Sequence, residues 1–398
     1  MEVLSLIIKP KIRGFICTTA HPVGCFKNVE DMVNAALKIK DKHGNGPKNV
    51  IVIGSSSGYG LASRVVSAFC YDAKTIGVSF ERESSENRTA TAGFYNNLAF
   101  ESISKKYNIP TKTINGDAFS NEVKDEVVSA SRDLFGGEKV DLLIYSLASP
   151  KRHDPNLNVT YSSVLKPIGA SYESKTVDFH TGVVSDILIE PANDEEILET
   201  IKVMGGEDFN MWIDKLIKED LIADGFKTIA YSYIGSPLTH PIYKDGTIGK
   251  AKDDLLNFSC KINEKLKNYN GGAFISINKA LVTQASSAIP VVPLYISLLY
   301  EIMKKNGTHE GCFEQIERLF RDKLYSGKDN FFDEKNRIRM DDYEMKADVQ
   351  NKIERLWPLI RSENVETLTD IKGYKREFYS LFGFGRDDVD YDEDIKEF

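Results

Sequence analysis

The apolar residues of this chain fall into two kinds of run. Residues 50–53, 75–80, 112–114, 142–145, 228–234 and 273–277 are short and rich in apolar, β-branched side chains. Between the first four lie longer segments, 61–69, 94–107 and 122–134, whose apolar positions recur at helical spacing. Strand and helix alternating in this way predict right-handed βαβ units on a parallel sheet. Strands that read as apolar runs, without alternation, predict helices on both faces. The expected fold class is α/β, a Rossmann-like, doubly wound parallel sheet.

The alternation breaks after the fourth strand. Residues 151–225 are polar, carry Pro155, Pro167 and Pro191, and contain two helical patterns, over Asp194–Met204 and 208–219. They read as an insertion on the substrate side. After residue 277 the pattern becomes mostly helical. The apolar stretch 289–303 is shorter than the ~20 residues of a membrane span and includes Pro290, Pro293 and Glu301. It predicts a buried helix, and no membrane span. The expected organisation is a small appended element over 1–45, a Rossmann-like domain over 46–310, and a helical part over 311–398 packed on that domain.

Composition narrows the function. The chain has 398 residues, 41% of them apolar, enough for a sizeable core. Its formal net charge is −8 and no basic block appears, which argues against nucleic-acid binding. The acidic run Asp387, Asp388, Asp390, Asp392, Glu393, Asp394 and Glu397 reads as a solvated tail. Cys17, Cys25, Cys70, Cys260 and Cys312 are odd in number and include no C-x-x-C pair. They form neither a disulfide framework nor a zinc ribbon, and predict a reducing compartment, the cytoplasm. The first ten residues lack a basic segment followed by a long apolar run, so no leader is expected. No His/Cys/Asp cluster has metal-ligand spacing, so no metal is expected.

The first strand runs into Gly54-Ser55-Ser56-Ser57-Gly58-Tyr59-Gly60 and then a helix. Glycines let the backbone approach a pyrophosphate, and the helix N-terminus offers free N–H groups to that anion. The spacing G-x-x-x-G-x-G is that of short-chain dehydrogenase/reductases. The same residues spell G-x-S-x-G around Ser56, the nucleophile elbow of serine hydrolases. That reading suffers from the little sheet available before the elbow. The second strand ends at Phe80 and Glu81, an acid placed to accept from the adenosine ribose hydroxyls and to repel a 2′-phosphate. NADH is therefore expected over NADPH. The third and fourth strands end in residues 115–118 and 145–149, tips expected to line the adenine and nicotinamide-ribose sides.

Hydride transfer to a polarised double bond needs an acid to stabilise the developing oxyanion. No Tyr-x-x-x-Lys follows the fourth strand. After the fifth come Tyr231, Tyr233, Tyr243, Lys250 and Lys252. Tyr243 and Lys252 form Tyr-x8-Lys, about two and a half helical turns, so they converge only if a helix starts between them. Asp245-Gly246-Thr247 offers that start, with Thr247 as N-cap. Apolar positions Ile248, Ala251, Leu255, Phe258, Ile262 and Leu266 then put Lys252 at the border of the inward stripe. Lys250 falls on the polar face, four before Asp254, as a surface pair. Lys252 beside a phenol would favour phenolate formation and could donate to ribose hydroxyls.

Together these stretches resemble the trans-2-enoyl-CoA reductase, or FabV-type enoyl reductase, family of enlarged short-chain dehydrogenase relatives. The resemblance runs nearly end to end: KPKIRGFICTTAHPVGC (9–25), GSSSGYGLASR (54–64), GVSFER (77–82), INGDAFS (114–120), IYSLASPKR (144–152), VMGGEDF (203–209), AYSYIG (230–235), IYKDGTIGKAKDDL (242–255), NKALVTQASSAIPVVPLY (278–295) and HEGCFEQI (309–316). It implies NADH held by Gly54, Ser55, Ser56, Ser57, Gly58, Tyr59, Phe80, Glu81, Asp117, Ala118, Leu147, Ala148, Lys252, Leu281, Val282 and Thr283. It implies Tyr243 as proton donor, Tyr233 as a substrate contact, and the run after Pro290 as part of an acyl crevice. The implied reaction is NADH-dependent reduction of a trans-2-enoyl thioester of coenzyme A or acyl carrier protein, in fatty acid synthesis or fermentative butyrate formation. Oligomeric state stays open, and a monomer is compatible with the sequence. The rival readings are a serine hydrolase using Ser56 and a non-catalytic NADH-binding module.

Overall fold

Seven parallel strands, all with their carboxyl ends on one edge, carry the molecule: β1 (Asn49–Ile53), β2 (Lys74–Ser79), β3 (Thr111–Asn115), β4 (Val140–Tyr145), β5 (Ile222–Ser232), β6 (Gly272–Ile277) and β7 (Arg337–Arg339). The computed structural model describes residues 7–85, 88–327 and 332–395. Residues 1–6 and Glu397, on which the leader and tail expectations partly rest, lie outside the described residues. The order across the sheet is β7-β6-β5-β4-β1-β2-β3. The chain starts in the middle, moves out to β3, then crosses back to β4, so its direction reverses between β1 and β4. In open α/β sheets ligands bind at that switch point. Registers align the tips there: Ile53 faces both Val78 and Tyr145, and Ser79 faces Asn115.

The helices are α1 (Pro22–Ile39), α2 (Gly58–Tyr71), α3 (Ala92–Lys106), α4 (Asn121–Phe135), α5 (Asp194–Met204), α6 (Glu207–Lys218), α7 (Thr247–Leu266), α8 (Gln284–Ser287), α9 (Val292–Lys305), α10 (Cys312–Leu319), α11 (Ala347–Leu356), α12 (Val365–Leu368) and α13 (Ile371–Ser380). Successive strand side chains point to opposite faces. Val50 and Val52 of β1 therefore join a core with Val29 of α1, Phe69 of α2, Phe100 of α3 and Ile316 of α10. Ile51 and Ile53 join the opposite core with Val127 of α4, Trp212 of α6 and Leu255 of α7. A third core gathers Leu294, Tyr295, Leu298 and Leu299 of α9 with Val349, Ile353, Tyr374 and Phe378 of the C-terminal part. The apolar stretch 289–303 is thus a buried helix, and no helix among the described residues is long and apolar enough to cross a membrane.

Several expectations need correction. The insertion also holds two antiparallel hairpins, Lys151–Asp154 with Val159–Ser162 and Tyr172–Asp178 with Val183–Ile189. Their strands are mostly half-buried or exposed and so lack the continuous apolar run of the central strands. The fifth strand starts at Ile222, inside the segment read as insertion, and stops at Ser232, two residues short of Ile234. The C-terminal part is mostly helical, as expected, but also adds β7, a three-residue edge strand whose only apolar residue, Ile338, is fully buried. Residues before β1 include an 18-residue helix packed in the same core as α2 and α3. The acidic tail is tied down: Arg386 bridges Asp31 and Asp388, and Tyr391 packs on His21 and Phe384.

Candidate active site

The glycine loop leaves β1 at Gly54, which sits at φ +82. A Cβ there would lie 2.2 Å from the Ser146 carbonyl oxygen, so only glycine lets the tips of β1 and β4 come this close. Leu147, with Ala148 beyond it, is brought against the loop by that approach. A Cβ on Gly60 would meet Gly54 O at 1.8 Å, so the first turn of α2 folds directly over the loop. The Ser57 side chain does not cap α2. The helix N-terminus, with Ser55, Ser56, Ser57, Gly58 and Tyr59 around it, is therefore a ready cradle for an anion.

The tip of β2 is fixed by neighbouring side chains. Ser56 Oγ donates to Glu81 Oε1 at 2.6 Å. Glu81 N–H donates to Asn115 Oδ1 (2.8 Å), and Asn115 Nδ2 donates back to Glu81 O (2.9 Å). Asn96 Nδ2 holds Ser56 O from α3. The Glu81 carboxylate lies over Gly93, where any side chain would strike it. Glu81 is thus aimed at the loop, with Phe80 beside it 79% exposed. Ser56 is engaged with a carboxylate, not an imidazole, which counts against the hydrolase reading.

The third tip carries half-buried Asp117, whose Oδ1 accepts from Phe119 N–H, and buried Ala118. Lys124, buried on α4, donates to Ala118 O, Phe119 O and Asp208 Oδ1 and so pins this tip to α6. After β6, Leu281 and Val282 are buried and Val282 N–H donates to Tyr300 Oη. Thr283 and Ser286 cap α8 reciprocally, and Thr283 stands beside Gly58. Tyr59 Oη donates to Lys279 O at 2.8 Å, tying α2 to the exit of β6.

Tyr243 sits in turns just before α7. Its ring packs edge-on against Tyr233, centroids 4.7 Å apart. Among the described residues no protein group bonds its hydroxyl, although the side chain is buried. Burial, then the negative charge of Glu344 and the neighbouring Tyr374, push the phenol well above its ordinary range. Lys252 is half-buried, and Nζ donates to Tyr231 O at 3.3 Å. Burial alone lowers its pKa to about 8. The phenolate-favouring effect expected of Lys252 is not what acts on Tyr243; the phenol stays protonated. Lys250 is exposed, as the helical register requires.

Two local expectations fail here. The N-cap of α7 is Gly246, not Thr247. Thr247 instead clamps the insertion, donating from Oγ1 to Val164 O and from N–H to Lys166 O. Asp254 does not pair with Lys250; it accepts from Gly206 N–H at the start of α6.

Sequence reasoning misses Glu344, which is fully buried just past β7. It accepts from Tyr233 Oη (3.1 Å), Tyr295 Oη (2.7 Å) and Ala280 N–H (2.7 Å). Nothing in Asp341-Asp342-Tyr343-Glu344-Met345 marks it in the sequence, because its three partners arrive from β5, β6 and α9.

A glycine loop at the switch point of a parallel sheet in Rossmann order places this fold among the doubly wound α/β proteins. Comparison with known proteins takes the assignment further. Residues 88–325 match the family model for the trans-2-enoyl-CoA reductase catalytic region, and residues 7–86 that for the NAD(P)H binding domain of trans-2-enoyl-CoA reductase. Residues 332–395 match a model described as an enoyl reductase FAD binding domain. In this chain that segment's Val349, Ile353, Tyr374 and Phe378 are packed into the core around α9.

The chain is 54% identical over 393 residues to an NADH enoyl-acyl-carrier-protein reductase of Cytophaga hutchinsonii, covering 98% of each chain. It is 54% identical over 391 residues to an NADH trans-2-enoyl-CoA reductase of Ruminiclostridium cellulolyticum, again with 98% of each covered. The crystal structure of the Clostridium acetobutulicum trans-2-enoyl-CoA reductase with NADH superposes with a TM-score of 0.95 at 46% identity, covering 98% of each chain. The chain belongs to the trans-2-enoyl-CoA reductase family.

Proposed function

We propose that this chain is a cytoplasmic, NADH-dependent reductase of the C2–C3 double bond of trans-2-enoyl thioesters, carried on coenzyme A or acyl carrier protein. The observation that carries the reading is Tyr243: a buried phenol whose hydroxyl bonds no protein group among the described residues, in the turns just before the helix that presents Lys252. The glycine cradle and Glu81 fit a dinucleotide with a free 2′-hydroxyl. Phe80, Asp117 and Ala118 flank its adenine, while Leu147, Ala148 and Leu281 to Thr283 border the nicotinamide half. Bound NADH supplies a hydride for C3 of the substrate. Negative charge then develops on the thioester oxygen, where Tyr243 donates a hydrogen bond in a water-poor setting, and a proton added at C2, from Tyr243 or water, completes the saturated thioester. Lys252 reaches the ribose hydroxyls and adds positive charge. Tyr233 contacts the substrate side, and the start of α9 borders the acyl chain. The saturated thioester serves fatty acid synthesis or fermentative butyrate formation.

The test is steady-state NADH oxidation with crotonyl thioesters of both carriers. Oxidation that depends on the enoyl thioester supports the reading. Tight NADH binding without oxidation would favour a binding module. Thioester cleavage without NADH, blocked by an active-serine reagent, would favour a hydrolase.

A further inference from the structure

The carboxylate of Glu344 joins three elements that the reaction needs in register. Its Oε1 accepts from Tyr233 at the exit of β5 and from Tyr295 of α9, and its Oε2 accepts from Ala280 N–H, one residue before Leu281 to Thr283. All three partners donate to it, and a carboxylate accepts from all of them as they stand; an amide in its place either turns its NH2 toward Ala280 N–H or makes both hydroxyls reverse and accept. Tyr233 in turn packs edge-on against Tyr243. We propose that Glu344 is a positioning residue for the reduction: it holds Tyr233 as a fixed wall against Tyr243, and holds the Ala280–Thr283 loop in the same frame. This inference rests on the proposed enoyl-thioester reduction.

The three donors around it, more than the net electrostatics, mark Glu344 as an acceptor held inside the protein. Glu344 is fully buried. That burial raises its pKa, and Asp341 on the same segment adds to the rise; Lys279, also buried at the exit of β6, and the donors Ala280 N–H and Tyr295 Oη act the other way and favour the carboxylate. Tyr59 of α2 and Tyr243 also feel the charge. With its single proton given to Glu344, Tyr233 has none left for the thioester oxygen. Tyr243 is therefore the phenol left to donate to the substrate, and Glu344 acts on catalysis through Tyr233 without touching the reacting atoms.

The experiment compares wild type, Glu344→Gln, Tyr233→Phe and the double variant, each checked for a cooperative melt, by NADH oxidation with crotonyl-CoA. Wild-type turnover is the control: its absence would sink the proposed reaction, not the role of Glu344 within it. In Glu344→Gln, kcat should fall about ten-fold while the KM for crotonyl-CoA stays within about two-fold, since contacts sharing one network couple strongly. In the Tyr233→Phe background the same substitution should cost less than about three-fold, because the group it acts through is already gone. An equal loss in both backgrounds, no loss in either, or a loss confined to KM would overturn the proposal. If Glu344→Gln gives no cooperative melt, Glu344→Asp, which keeps the charge but withdraws the oxygens, takes its place and the same comparison decides.

Discussion

Around β1 and β2 the site is built of backbone, while around β5, β6 and α7 it is built of side chains. In the first region Gly54 and Gly60 permit contacts of 2.2 and 1.8 Å from a would-be Cβ to a carbonyl oxygen, and the helix start is left uncapped. The glycine loop and the acid that closes β2 lie within about thirty consecutive residues, from Asn49 to Glu81. In the second region Tyr243, Lys252, Tyr233 and Glu344 come from positions up to 111 residues apart. Cofactor binding can rest on local chain geometry because a pyrophosphate asks only for N–H groups and room. Polarising a substrate asks for a proton at one point in a dry pocket, and that takes a folded core.

The contrast predicts different failures on the two sides. The largest effect on turnover belongs to the phenol: Tyr243→Phe should lower kcat by ~10²–10³, the usual cost of one oxyanion donor, with NADH affinity little changed in a fluorescence titration. Lys252→Met should come next, since it serves both sides: turnover and NADH binding should weaken together, whereas Lys250→Met should leave both close to wild type. The pH dependence has a definite sign. Lys252 is charged below about 8 and neutral above it, because burial lowers its pKa. NADH binding that uses this charge is full well below that value and falls as pH rises through it. Lys252→Arg, charged throughout, should remove the fall; a wild-type affinity flat across this range would contradict the role. The smallest effect is on selectivity: NADH should be strongly preferred, and Glu81→Ala should narrow its advantage over NADPH in kcat/KM without changing the fold. Equal use of both cofactors by the wild type would place Glu81 away from the ribose.

The two regions also differ in how legible they are in the amino-acid sequence. The strand–glycine loop–helix unit and the acid closing β2 announce themselves because their spacing is imposed by local backbone physics. Helical periodicity alone places Lys252 inward and Lys250 outward. It cannot place Asp254, whose partner Gly206 lies 48 residues away, nor Thr247, whose hydroxyl leaves the helix start to hold Val164. The strand 337–339 escapes notice because three residues with one apolar side chain carry no period. The hairpins of 151–189 escape it because an insertion lying on the surface needs no apolar run. Glu344 is hidden for a stronger reason: a buried acid in an acidic stretch looks like a surface acid until its three donors arrive. The charge on the tail misleads in the same way, since Arg386 and Tyr391 anchor it through contacts with Asp31 and His21.

The most direct test of the division between the two regions is to measure NADH binding and thioester reduction side by side on Tyr243→Phe and Gly60→Ala. The added methyl of Gly60→Ala must displace the Gly54 carbonyl it would otherwise meet at 1.8 Å, and misplacement on this scale can cost ~10²-fold. The account predicts that Gly60→Ala loses NADH affinity, with turnover recovering as NADH is raised, while Tyr243→Phe binds NADH as wild type does and stays slow at saturation. If Tyr243→Phe turned over at the wild-type rate, or lost NADH binding as Gly60→Ala does, the separation of cofactor cradle from proton donor would be contradicted.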